Sequence, residues 1–279
     1  MHSAVPADLH QNPESEAFRR FFRLRWPDGF RCPRCGHREY SEISTRSVPL
    51  YQCRHCRKQT SLTAGTIMHK SHTPVSKWLA AADALAASPG LSAAALGQAV
   101  GITAKAAWLM LRKFRQAISR LENERKLEGT VKVGLRVIAP AWIWMFWELA
   151  IYKSERVVAI STSVDEEGNP REMKLTVLDP ERDLEPEMKI ATPEARERLM
   201  ERTVSPRAEA EWLRERRRFP EAVDQAFKKA RSWLVEVFNG VGTKYLQSYL
   251  DEFCFRWNVG MRGESLRAAW LGLLCKQAG

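Results

Sequence analysis

Four cysteines in two pairs, Cys32-Pro-Arg-Cys35 and Cys53-Arg-His-Cys56, carry the most specific chemistry in this 279-residue chain. Two CxxC pairs seventeen residues apart can close four thiolates around one zinc ion, each pair at the tip of a short hairpin. A redox or disulfide pair is the competing reading, disfavoured by two evenly matched pairs in one chain. Cations crowd both pairs: Arg31, Arg34, Arg54, Arg57 and Lys58, with His37, Arg38 and His55 among them. Zinc with four thiolate ligands keeps no open position for substrate, so its expected work is to stiffen a cationic surface facing nucleic acid.

The charge of the chain agrees with that surface. Residues 1–127 hold 20 Lys and Arg against 9 Asp and Glu, whereas residues 128–279 hold 24 against 24, so the whole net charge of +11 lies in the front half. Such a one-sided field favours a polyanion bound with counterion release, and double-stranded DNA is the expected partner. An apolar content of 44% over this length allows two or three domains. The first twelve residues have no apolar run, and the stretch from Val137 to Ile151 is interrupted by Pro140 and Glu148 and too short to span a bilayer. The expectation is a cytoplasmic protein with no membrane partner.

A short amphipathic helix over Glu14 to Leu24, with Phe18, Phe21 and Phe22 on one face, leads into the ribbon. Pro74 opens a helix over 76–87 that ends at Ser88-Pro-Gly90, and Ser92 caps a second helix running to Val100. After a turn at Gly101, Thr103 caps a third helix, in which the spacing of Ala107, Trp108, Leu111 and Phe114 or Arg115 continues through Ile118 to Leu121. Helix, glycine turn and basic helix is the layout of a helix-turn-helix, whose second helix enters the major groove. A plain helical hairpin with a solvated charged face is the alternative. The expected DNA contacts here are Thr103, Lys105, Arg112, Lys113 and Arg115, with Trp108 filling the core.

From Gly129 the pattern changes to alternation: Val131 to Val133, Arg156 to Ser163 and Met173 to Leu178 read as strands, the last two flanking a turn at Glu167-Gly-Asn-Pro170. Trp142, Trp144 and Trp147 read as part of a buried strand rather than as base-stacking residues. Residues 180–220 are dense in both charges and read as polar helices or a flexible insertion; the run from Arg214 to Arg218 is a further candidate for phosphate contact. Helical spacing returns over Ala222 to Phe238 and Lys244 to Trp257. Cys254 and Cys275 sit in those apolar patterns and read as small core residues.

Several phrases together resemble the zinc-ribbon DDE transposases of bacterial insertion sequences. These are Arg25-Trp-Pro-Asp-Gly29, Cys32-Pro-Arg-Cys-Gly36, Tyr51-Gln-Cys-Arg-His-Cys-Arg-Lys-Gln59, Ala64-Gly-Thr-Ile67, Thr73-Pro-Val-Ser-Lys-Trp78 and Lys105-Ala-Ala-Trp108. Near the other end, the run from Lys244 to Phe253 and Phe255-Arg-Trp-Asn258 resemble that family's C-terminal signature. The resemblance implies an RNase H-like domain in which three carboxylates hold two divalent metals for phosphoryl transfer. It places the first acid at Gly134, in Val131-Lys-Val-Gly134, and the third at Asp224, while the second has no counterpart beyond Asp179 or Asp183. A glycine ligates no metal, and a single carboxylate binds magnesium weakly.

The resulting expectation is an α+β, multi-domain chain. An N-terminal helix and zinc ribbon would occupy 1–72 and a helix-turn-helix bundle 73–127. A degenerate RNase H-like α/β domain with C-terminal helices would occupy 128–279, carrying the charged insertion at 180–220. Cys32, Cys35, Cys53 and Cys56 would hold structural zinc, and Arg31, Arg34, Arg54, Arg57 and Lys58 would meet DNA on the bacterial nucleoid. The function expected is that of a divergent, domesticated transposase relative, a regulator or nucleoprotein component that is not a nuclease and that forms a homodimer or meets a protein partner through its C-terminal domain. The alternatives are an active, magnesium-dependent transposase with relocated acids such as Glu148, Asp165, Asp179 and Asp224, and a ribbon that docks protein instead of DNA.

Overall fold

A computed structural model describes residues 13–138, 156–186, 188–213 and 219–277. Among them are eight helices and two sheets, packed as two units. One unit takes the described residues of Met1–Pro89, Ala93–Ala117 and Arg267–Gly279; the second takes Gly90–Ser92 and those of Ile118–Leu266. This grouping differs from the division at 72/73 and 127/128, because the ribbon, the helices that follow it and the last helix share one set of contacts.

In the first unit, α1 (Pro13–Arg25) leads into an antiparallel sheet in the order β1 (Tyr40–Ile43), β2 (Leu50–Cys53) and β3 (Gln59–Ser61). Strands of three and four residues are too short to be stable alone. They lean on an aromatic cluster of Phe22, Trp26, Phe30, Tyr40 and Tyr51, whose ring centroids lie 5.0–6.0 Å apart. Arg25 fastens α1 to the end of the ribbon: its guanidinium donates to the carbonyls of Ser61 at 3.0 Å, Leu62, and Ala64 at 2.6 Å.

Three helices follow: α2 (Val75–Ala87), α3 (Ala93–Val100) and α4 (Ala104–Glu124). Pro74 at the start of α2 offers no side-chain cap, and the Glu14 carboxylate takes that role, accepting from Val75 N at 2.5 Å and Ser76 N at 3.2 Å. Between α3 and α4 the chain turns through 108° over three residues. Gly101 occupies a left-handed conformation (φ +67°), Lys77 Nζ donates to the Val100 carbonyl at 2.6 Å, and Thr103 Oγ1 accepts from Ala106 N at 3.2 Å. Gly97 permits the close turn, since a Cβ there would meet the Ile102 carbonyl oxygen at 2.9 Å. Phe114 of α4 packs edge-on against Trp270 of the last helix, α8 (Leu266–Leu273), at 5.4 Å.

The second unit is built on a four-stranded sheet. β4 (Thr130–Ile138), β5 (Arg156–Val164) and β6 (Pro170–Val177) run antiparallel, and β7 (Glu209–Trp212) adds to the other edge of β4 in parallel, giving the order β6-β5-β4-β7. The crossover from β6 to β7 carries α5 (Pro193–Thr203), capped by Thr192 Oγ1 accepting from Ala195 N at 3.2 Å. Residues 180–220 are therefore more than the polar helices or flexible insertion expected of them, because they include a helix on one face of the sheet and one of its strands. Val131, Val133, Val157 and Ala159 pack toward α5 residues Ala195 and Leu199. Val158, Ile160, Met173 and Leu175 pack on the opposite face against α6 (Glu221–Phe238) and α7 (Leu246–Met261), through Phe227, Trp233, Leu250 and Phe253. Helices cover both faces, which explains why β5 is buried from Val157 onward.

No single described helix is long and apolar enough to cross a membrane. The tryptophan-rich strand expected over 142–147 lies outside the described residues, as do Glu148 and Arg214 to Arg218.

Asp83 of α2 accepts from Arg20 of α1 at 3.1 Å and from Arg267 of α8 at 2.7 Å, drawing three helices of the first unit together. Partial burial raises its pKa, but the guanidinium hydrogen bonds of Arg267 and Arg20 outweigh that, and the group titrates below the ordinary carboxylate value of 3.8. A carboxylate whose folded pKa is depressed stabilises the fold above its unfolded pKa, and that stability is lost as pH falls through the folded value. Asp83→Asn is expected to cost about 1 kcal/mol near pH 7, after allowance for solvent screening. The difference between the variant and the parent should close below pH 4, as measured by denaturant unfolding across pH.

Candidate metal centre and nucleic-acid interface

The two cysteine pairs sit in equivalent backbone turns. Cys32 N donates to the His37 carbonyl at 2.9 Å and Cys53 N to the Lys58 carbonyl at 3.0 Å. Gly36 N donates back to Cys32 O at 2.9 Å and Arg57 N to Cys53 O at 3.1 Å. The fourth residue after each leading cysteine, Gly36 or Arg57, has positive φ, 73° and 59° respectively. Arg54 N donates to the Glu39 carbonyl at 3.0 Å and ties the second turn to the lead-in of β1.

All four Sγ atoms lie within 4.8 Å of one another, and the Cys32–Cys56 and Cys35–Cys53 pairs are 3.6 and 3.7 Å apart. Both distances exceed the roughly 2.05 Å of a disulfide, and the four cysteines are free. Sulfurs about 2.3 Å from a central zinc at tetrahedral angles stand about 3.8 Å from each other, so the donor set fits that ion in number, element and spacing. At Cys32, desolvation disfavours the thiolate, but the amides of Arg34 and Cys35 and the neighbouring thiols outweigh it and bring the pKa down to about 6. Zinc would be held by Cys32, Cys35, Cys53 and Cys56, and with four protein ligands it would leave no position for substrate.

Around this centre Arg31, Arg34, Arg54, Arg57 and Lys58 are all exposed. On the other expected DNA-contacting element, Thr103, Lys105 and Arg112 are exposed as well. Two expected contacts turn inward instead. Lys113 Nζ donates to the His69 carbonyl at 2.9 Å, with burial lowering its pKa, and Arg115 is only 5% exposed. Both belong to the packing of α4 rather than to its outer face. Trp108 departs from expectation in the opposite sense: it is 38% exposed, beside Leu109 at 47%, while Ala107, Met110, Leu111 and Phe114 fill the core.

Gly134 and Asp224, where the resemblance puts the first and third acids, are held by packing and by an ion pair respectively. A Cβ on Gly134 would meet the Phe219 ring at 2.9 and 3.0 Å and Leu213 Cβ at 3.4 Å, so the space an acidic side chain needs is taken. Two residues along β4, Arg136 pairs with Asp224 at 2.8 Å while its guanidinium lies 4.7 Å above the Phe219 ring. A cavity of about 280 Å³ opens here, lined by Gly134, Arg136, Lys189, Trp212 and Phe219, a cationic and apolar wall. The other acids serve local structure. Asp183 is held by Arg182 and Arg198 at 2.9 Å each, which keeps its carboxyl well below the usual range; Asp165 accepts from Asn169 N at 2.8 Å, and Asp179 from Glu181 N at 3.0 Å. Among the described residues, the four cysteines are the one group of three or more such side chains gathered closely enough to hold a metal ion.

Cys53→Ser is expected to lower the bound zinc from one equivalent and to reduce the melting temperature of the ribbon unit, read by metal analysis and calorimetry. Gly134→Asp should destabilise the second unit by about 1–3 kcal/mol through overpacking. Part of that loss should return in the Gly134→Asp, Phe219→Ala double variant, as measured by chemical denaturation.

Residues 12–59 match the family described as the transposase zinc-ribbon domain. No curated protein and no solved structure matches the chain.

Proposed function

We propose that this chain is a transposase-derived, zinc-dependent protein that binds double-stranded DNA and whose DDE centre no longer cleaves it. The observation that carries the reading is the cationic face on two rigid supports. Arg31, Arg34, Arg54, Arg57 and Lys58 stand out from the four-cysteine centre, and Lys105 and Arg112 stand out from α4. Exposed cations of this kind can contact a phosphate backbone, and phosphate contacts set the position of a protein on duplex DNA. The α3–turn–α4 geometry, a 108° turn with a glycine and a threonine cap, supports a helix-turn-helix that presents α4 to the major groove. The match of residues 12–59 to a transposase ribbon supports the derivation.

Loss of cleavage is supported by the second unit. Three antiparallel strands, a helix and a fourth strand parallel to the first support an RNase H-like reading, in which the first acid would fall on the first strand. There, Gly134 is backed by Phe219, and Asp224 is neutralised by Arg136. The unit is then a scaffold for a second copy or a protein partner, in a protein that acts on the nucleoid in the bacterial cytoplasm as a regulator or architectural component.

The test is fluorescence anisotropy with duplex DNA over a salt series, run beside a nicking assay with magnesium or manganese. The expected result is binding that weakens steeply with salt and no nicks. Replacing Lys105 and Arg112 by Gln should lower the slope of log K against log salt by about 1 each. Nicks that disappear in Asp224→Ala would overturn the loss of cleavage; indifference to duplex DNA at low salt would overturn the binding itself.

A further inference from the structure

The outer face of α4 carries more than charge. Lys105, Trp108, Leu109, Arg112 and Gln116 are exposed at spacings of three and four residues, so they form one stripe along the helix. Among the described residues six large hydrophobic side chains are exposed, and two of them, Trp108 and Leu109, are adjacent on this stripe between its two cations. The Arg112 guanidinium lies 5.7 Å from the Trp108 ring centroid, and Trp108 is 38% exposed. Thr103 caps the helix at its start, which puts Lys105, Trp108 and Leu109 within the first two turns. In a helix-turn-helix those turns face the base edges.

Resting on the DNA-binding reading above, we infer that Trp108 and Leu109 are specificity-determining residues that read the methyl groups of thymines in the major groove. The thymine C5-methyl is the apolar group that a base edge offers there, whereas guanine, cytosine and adenine present hydrogen-bonding atoms. A tryptophan edge and a leucine gain by covering a methyl and lose by covering an unpaired donor or acceptor. Lys105 and Arg112 stand seven residues apart, about 10 Å along the helix. They flank the apolar pair along the stripe and can contact phosphates on either end of it. The selected site is one with thymines at neighbouring positions facing α4.

The experiment selects bound sequences from a random duplex library with the full-length zinc-loaded protein, then measures anisotropy on the selected site with its thymines replaced one at a time by uracil. Uracil keeps every hydrogen-bonding group of thymine and lacks the methyl. The expected result is enrichment of adjacent A·T pairs and about four-fold weaker binding for each contacted methyl removed. Trp108→Ala and Leu109→Ser, both at exposed positions, should bind thymine and uracil duplexes alike, with zinc content and melting temperature confirming that they fold. Equal affinity of the parent protein for both duplexes would overturn the inference while leaving DNA binding intact. Failure of the parent to bind any duplex at low salt would remove both. If Leu109→Ser instead changes the sedimenting mass and keeps the uracil sensitivity, the stripe contacts protein and the inference falls.

Discussion

Four sulfur atoms within 4.8 Å of one another cannot all be thiolates unless a cation sits among them, and the first unit is organised around that constraint. The ribbon has strands of only three and four residues, and its aromatic cluster is shared with Phe22 of α1. Zinc with four thiolates carries a net charge of −2, which offsets the mutual repulsion of Arg31, Arg34, Arg54, Arg57 and Lys58 on its rim. The same ion thus closes the fold and permits the density of positive charge that the proposed binding needs. Arg25 extends that order into the helices, because three carbonyls at the end of the ribbon converge on one guanidinium of α1.

In the second unit space is filled at Gly134 and charge is paired at Asp224. Catalytic carboxylates need room, convergence and unpaired oxygens, and the sheet offers none of these at Gly134 and Asp224. The Phe219 ring closes the room over Gly134 and then serves as the platform for Arg136, which takes the Asp224 oxygens. One aromatic side chain and one ion pair thus occupy both positions, and the cavity beside them is lined by Arg136, Lys189 and apolar side chains.

The parts that were legible in the sequence are those where the cause is local. CxxC spacing forecast the sulfur cluster, Thr103 and Gly101 forecast the helix start and the turn before it, and alternation forecast β4, β5 and β6. Where the cause lies far along the chain, pattern reading fell short. Lys113 and Arg115 look like surface cations, yet the partner of Lys113 is a carbonyl 44 residues away, and no local rule marks that. Trp108 sits beside Ala107, and a helix repeat near 3.6 leaves the phase of such neighbours ambiguous until the packing chooses one of them. β7 has the sequence Glu-Ala-Glu-Trp, too short and too charged to stand out, and becomes a strand because the edge of β4 is there to pair with. The closure of Gly134 by Phe219 joins residues 85 apart and is invisible to any spacing argument.

The second sheet is held by apolar packing on both of its faces. β5 is buried between two apolar layers, one against α5 and one against α6 and α7, and Leu213 and Phe219 of the second layer close over Gly134. A trio of converging carboxylates is a liability to a fold in the absence of metal, since like charges oppose ionisation and repel. If the proposed transposase derivation holds, exchange of such a trio for the Phe219 contact and the Arg136–Asp224 pair would remove the repulsion and add packing at the same place. On the proposed reading, in which cleavage is no longer required, stability alone favours such an exchange, and the apolar layers on both faces keep the sheet folded.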